Sequence, residues 1–118
     1  MNILIIDDAH EMLRAFRDIL EAYGYEVHVA ENGEEGLARY REIKPDVVLM
    51  DILMPKLDGI SATKKILEID PSAKIIVISA VGKTGLDDEC LLAGAKKFIV
   101  KPFKIKELLG SIDSLVAE

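Results

Sequence analysis

Five residues carry the side-chain types from which a reaction centre could be assembled: Asp7, Asp8, Asp51, Ser79 and Lys101. Three are carboxylates, one is a hydroxyl and one is a cation. Each sits at the end of a short apolar run: "NILII" leads into Asp7-Asp8, "VVLM" into Asp51, "IIVI" into Ser79 and "FIV" into Lys101. A carboxylate at the edge of a buried segment is costly unless it opens into a polar cleft. Three carboxylates gathered there repel one another unless something positive lies among them. Lys101 offers one positive charge. A hard divalent cation with oxygen ligands offers more, and Mg²⁺ suits a site with few carboxylates and several retained waters. Carboxylates, Mg²⁺, ammonium and hydroxyl together would trap a phosphoryl group, and a carboxylate inside that trap can be the nucleophile.

Whether the five meet depends on the elements that carry them. The apolar runs read as strands over Asn2 to Ile6, Glu26 to Ala30, Asp46 to Met50, Lys74 to Ile78 and Lys97 to Val100. Four are aliphatic with little alternation, the pattern of parallel strands covered on both faces. The second, "EVHVA", alternates, which predicts an edge position. Between them, Met12, Leu13, Phe16, Ile19, Leu20 and Tyr23 repeat at three- and four-residue spacing and Gly24 supplies a stop. Gly33 to Glu42 carries Glu34 and Glu35 early and Arg39 and Arg41 late, an order that suits the helix dipole. Further helices are predicted over Gly59 to Ile69, roughly Leu86 to Ala93, and from near Lys104 through Val116.

This is a βα unit repeated five times, (βα)5, with short connections. Right-handed crossovers make it an α/β domain with a doubly wound, five-stranded parallel sheet, and the common strand order is 2-1-3-4-5. In such a sheet all strands end at one rim. Ligands bind there beside the point where strand order reverses, which falls between the first and third strands. Those two strands carry the three aspartates, so residues spread over most of the chain converge on one pocket.

Composition excludes other classes. The 118 residues suit one domain over 1–118. Half are hydrophobic, 31% are charged, and the formal charge is −6, which argues against a nucleic-acid binder. One cysteine, Cys90, leaves no internal disulfide and no thiolate zinc site. The start "MNILIIDD" lacks a basic leader and no apolar run reaches membrane-spanning length. A cytoplasmic chain without membrane contact is expected.

The segments "IIDD", "VVLMDILMPKLDG", "VISA" and "FIVKPF", in this order and spacing, resemble the receiver domain of two-component response regulators over essentially the whole chain. The resemblance implies a flavodoxin-like fold and a set of roles. Asp51 matches the phosphoacceptor, which takes a phosphoryl group from a histidine kinase or a phosphotransfer protein. Asp8, Asp51 and the backbone carbonyl of Leu53 match the Mg²⁺ ligands, with Asp7 acting through water. Lys101 matches the phosphate contact, Ser79 and Phe98 the hydroxyl and aromatic of a switch, and Pro102 a cis-proline. It further implies a protein that is no enzyme in the ordinary sense, catalysing only its own phosphotransfer and dephosphorylation. Its state would reach a downstream protein target through the face of the fourth helix, fifth strand and fifth helix. A monomer or weak dimer without an output domain is expected; a relay intermediate and a receiver excised from a longer regulator fit the same residues.

Other readings fit less well. Asp8 followed by Glu11 could simply cap the first helix. "GKTG" at 82–85 imitates the end of a phosphate-binding loop, but the glycine required five positions before Gly82 is Val77. A haloacid-dehalogenase-type hydrolase needs an acid where Leu53 stands, and a flavodoxin-type cofactor binder needs a Ser/Thr/Gly-rich loop in place of "DDAHE". A phosphate-independent interaction module would lack one of the five key residues. Lys96, Lys97, Lys101, Lys104 and Lys106 form either a solvated face or a docking surface for an acidic partner.

Leu53 and Val81, both apolar, occupy two variable positions beside the expected phosphoryl site. An apolar lining gives an attacking water nothing to orient it, so slow hydrolysis of the acyl phosphate is predicted. Leu53→Asn and Val81→Glu are expected to shorten its lifetime, which decay kinetics of the phosphorylated proteins would show. Equal or slower decay in both variants would contradict the account.

Overall fold

The computed structural model describes residues 1–51, 59–79, 93–100 and 103–117, with Ser79 described by its backbone alone. Five strands run β1 (Asn2–Ile6), β2 (Glu26–Ala30), β3 (Val47–Asp51), β4 (Ile75–Ser79) and β5 (Lys97–Val100). Four described helices intervene: α1 (His10–Ala22), α2 (Gly33–Ile43), α3 (Gly59–Ile69) and the C-terminal helix α4 (Ile105–Val116). The helix predicted near Leu86 to Ala93 falls almost entirely outside the described residues. The sheet is parallel with order β2-β1-β3-β4-β5, as the repeat predicted. The alternating strand β2 lies at an edge.

Alternation along the strands builds two cores on one sheet. On β1, Ile3 and Ile5 face a cluster with Leu13, Phe16 and Leu20 of α1 and Leu108, Ile112 and Leu115 of the C-terminal helix. Leu4 and Ile6 face the other way, against Tyr40 of α2 and Ala62 and Ile66 of α3. Because β1, β3 and β4 are covered on both faces, their apolar runs need no polar alternation, and Leu4, Ile6, Val48, Met50, Ile75 and Ile76 are fully buried.

Local chemistry sets the boundaries. Asn32 caps α2, its side-chain oxygen accepting from the Glu35 amide at 2.9 Å. Gly24 stands at φ +93° after α1, where a side chain is strained. The α2 helix ends on Lys44 at φ 50°, a left-handed position occupied without glycine. Gly36 lies against β1 so closely that an added methyl would meet Ile6 Cδ1 and come within 2.9 Å of Ile6 Cγ1, so α2 packs on β1 with no room for a side chain there.

One polar bond closes the base of the α2/α3 layer. The buried Tyr40 hydroxyl donates to Asp70 Oδ2 at 2.7 Å, and Asp70 Oδ1 accepts from the Ser72 amide and hydroxyl at 3.0 and 2.7 Å. Those bonds from Ser72 and Tyr40 hold the Asp70 carboxyl below its ordinary pKa, and burial together with Asp70 pushes the Tyr40 hydroxyl up. The signs follow. Asp70 contributes stability that is whole above the usual carboxylate range and is lost as pH falls through its lowered folded value. Tyr40 contributes stability that is whole below the usual tyrosine range and is lost as pH rises through its raised value. Tyr40→Phe is expected to cost about 1 kcal/mol at neutral pH and to flatten the acid limb. Chemical denaturation from pH 3 to 7 measures both, and an unchanged acid limb would mean the bond is not formed in solution.

Candidate functional site

The rim at which β1 and β3 end holds the three aspartates. Register pairs Ile6 with Met50 across β1 and β3, so Asp7 and Asp51 leave the sheet side by side. One carboxylate oxygen from each of Asp7, Asp8 and Asp51 lies within 4.8 Å of the other two. The three differ in setting: Asp7 is 4% exposed, Asp51 is half-buried, and Asp8 is open to solvent.

Asp7 is held rigidly. Its amide donates to the Ala30 carbonyl at 3.1 Å, tying it to the end of β2, and its Oδ1 accepts from the Ala9 amide at 2.9 Å. That second bond turns the chain into α1, whose N-cap is Ala9 in an extended conformation with no side-chain cap. Capping therefore does not account for Asp8. With its neighbour folded back onto the backbone, Asp8 stands beside Asp51 as a second carboxylate. Close by in the chain, His10 Nδ1 lies 3.3 Å from Glu31 Oε1, linking the first residue of α1 to the residue that follows β2. The sequence offers no local signal for that pair, because only the β1–β2 register brings the two residues together.

The remaining site residues divide. Ser79 is the last residue of β4, paired in register with Val100 at the end of β5. Phe98 is half-buried on β5, opposite Val77, and packs on the α2/α3 core. Lys101 follows Val100 in the chain, but Lys101, Pro102, Leu53 and Val81 lie outside the described residues. What the structure brings together is thus the aspartate trio, at the same rim as the ends of β4 and β5.

As a donor set the trio is all oxygen, anionic and confined to one short span, which fits a hard divalent cation such as Mg²⁺ and offers nothing to a metal that prefers nitrogen or sulfur. Among the described residues no helix is long and apolar enough to cross a membrane.

Residues 3–113 match the model of the response regulator receiver domain. The chain belongs to that family. The receiver is 47% identical over 115 residues to the chemotaxis protein CheY of Thermotoga maritima, covering 97% of this chain and 96% of that one. It is likewise 47% identical over 113 residues to CheY of Bacillus subtilis, covering 95% and 94%. Among solved structures it superposes with a TM-score of 0.94 and 37% identity on a chain of the CheX–CheY–BeF3–Mg complex from Borrelia burgdorferi, covering all of this chain and 90% of that one. The fold predicted from the βα repeat is the receiver fold these relatives share.

Proposed function

We propose that Asp51 accepts a phosphoryl group from the phosphohistidine of a histidine kinase or phosphotransfer protein, in a Mg²⁺-dependent reaction, and that the receiver then signals by altered protein binding. The observation that carries this is the convergence of Asp7, Asp8 and Asp51 within 4.8 Å at the carboxyl rim. A Asp51 oxygen attacks phosphorus, the P–N bond of the donor breaks, and the imidazole leaves with the electron pair. Asp51 is half-buried at the end of a fully buried strand, so its carboxylate is aimed out of the sheet with little freedom to misalign.

Asp8, Asp51 and the Leu53 carbonyl are the residues proposed to hold Mg²⁺, with Asp7 acting through water. The ion would offset the carboxylates' charge and that developing on the phosphoryl oxygens. Asp7, fixed by the Ala9 and Ala30 backbone, orients that shell. Lys101 is assigned the phosphate contact, Ser79 the hydroxyl that turns toward it, and Phe98 the ring that reports the change. Phe98 already rests half-buried against the core, so inward rotation needs only local repacking. The complex of Borrelia CheY with CheX, BeF3 and Mg supports both the metal and the idea of a protein target. Cytoplasmic operation accords with the chemistry.

Intact-mass measurement after incubation with acetyl phosphate tests the reading. One phosphoryl group gained with Mg²⁺ and none in chelator is expected. Uptake independent of divalent metal would overturn the metal assignment.

A further inference from the structure

We propose that the C-terminal helix α4 is a hinged lever, its last turns pinned to the base of the sheet, its first turns free to follow the phosphoryl site, and Gly110 the hinge. The proposal rests on the function proposed above.

Three side chains from three elements converge on the final turns. The Tyr25 hydroxyl, just before β2, donates to Asp113 Oδ1 at 3.1 Å. Lys74 Nζ, just before β4, donates to the Leu115 carbonyl at 2.8 Å. Lys97 Nζ, at the start of β5, reaches Ser114 Oγ at 3.4 Å. All three approach from the amino rim, opposite the aspartates. The Lys74 bond also gives a last-turn carbonyl a charged side-chain donor, and places a cation at the helix's negative end.

The first turns are held otherwise. The N-cap, Lys104, makes no side-chain cap. Among the described residues no side chain from Lys104 to Leu109 forms a hydrogen bond or ion pair. Their attachment is apolar: Leu108 is buried, and Ile105 and Leu109 are half-buried against the α1-side core. Just ahead, Phe103 stacks on Phe16 with ring centroids 5.7 Å apart and planes 4° from parallel. Phe103 comes two residues after Lys101, and Phe16 lies on the helix that starts beyond Asp7-Asp8. One ring stack therefore joins the start of the lever to α1, which begins beyond the aspartates, and does so by apolar contact alone.

Gly110 divides the halves. A methyl there would meet no atom within 4 Å, and its backbone is not left-handed, so neither packing nor conformation requires glycine. What glycine does bring is looseness. Relative to alanine it raises local helix opening about two- to five-fold, the equivalent of about 0.5–1 kcal/mol.

The test is amide hydrogen exchange on the full chain, with and without beryllofluoride and Mg²⁺, for wild type, Gly110→Ala and the double variant Tyr25→Phe/Lys74→Met. Bound beryllofluoride is verified in each sample by fluorine NMR. In wild type, amides 107–109 are expected to change rate by about three-fold or more while amides 112–116 stay nearly constant. Gly110→Ala should lose at least half of that response, and the double variant should let it spread into 112–116. A uniform response along the wild-type helix, or an undiminished one in Gly110→Ala, with fluoride bound, overturns the lever. Absence of bound fluoride would instead overturn the phosphoryl-site reading, and the lever's response with it.

Discussion

Asp51→Asn is expected to abolish phosphoryl uptake outright while raising the melting temperature in chelator. The first half follows from chemistry, since an amide oxygen is a poor nucleophile and its phosphorylated product would be cationic at the amide. The second follows from charge. Carboxylate oxygens within 4.8 Å of one another repel by about 3.5 kcal/mol or more at an effective dielectric of 20. Solvent at the exposed Asp8 and nearby cations reduce this, so a net gain of about 1–2 kcal/mol is the expected size. Mg²⁺ should reverse the order. An ion that binds the native state stabilises it in proportion to the logarithm of its saturation, and wild type offers one more anionic ligand. Melting curves in chelator and in Mg²⁺, with intact mass on the same preparations, decide the matter. A lower melting temperature for the variant in chelator would contradict the repulsion argument, and a phosphoryl group on the variant would remove Asp51 as acceptor.

How far the site could be read in advance differs from residue to residue. The apolar runs placed each strand to within one residue, because parallel strands buried on both faces leave few alternatives. Helix α3 was predicted over Gly59 to Ile69 and is found there. Convergence of Asp7, Asp8 and Asp51 needed only the strand order, and 2-1-3-4-5 is the common order for a five-stranded doubly wound sheet. Contacts between distant elements were not legible. Nothing near Phe16 points to Phe103, nothing near Tyr25 points to Asp113, and the His10–Glu31 pair depends on the register of two loops. Asp8 shows the reverse case. Its spacing to Glu11 suits a cap, yet the backbone passes the N-cap to Ala9, because the neighbouring Asp7 takes the Ala9 amide first.

Gly94→Ala is expected to be strongly destabilising. Gly94 precedes β5 at φ +113°, a conformation that costs an L-residue about 1–2 kcal/mol. The new Cβ would also collide with Leu67 Cδ1 on α3. Leu67 is half-buried against the α2/α3 core, so the end of its side chain has limited room, and overpacking of this kind costs about 1–3 kcal/mol. Together the loss should reach about 2–4 kcal/mol, a large share of the stability of a domain this size. The two causes are separable. Leu67→Ala removes the collision but leaves the backbone strain, so in the double variant Gly94→Ala should cost about 1–2 kcal/mol rather than the full amount. Urea denaturation of the four proteins in this cycle measures the difference. Equal costs in both backgrounds would locate the penalty in the backbone alone, and a cost below about 1 kcal/mol in wild type would contradict both causes. The outcome bears on function because this turn sets the start of β5, the strand that carries Phe98 and leads directly into Lys101. A receiver that folds with this turn displaced should retain its aspartates on β1 and β3, and with them the proposed Mg²⁺ site, while losing the placement of Lys101 on which the proposed phosphate contact depends.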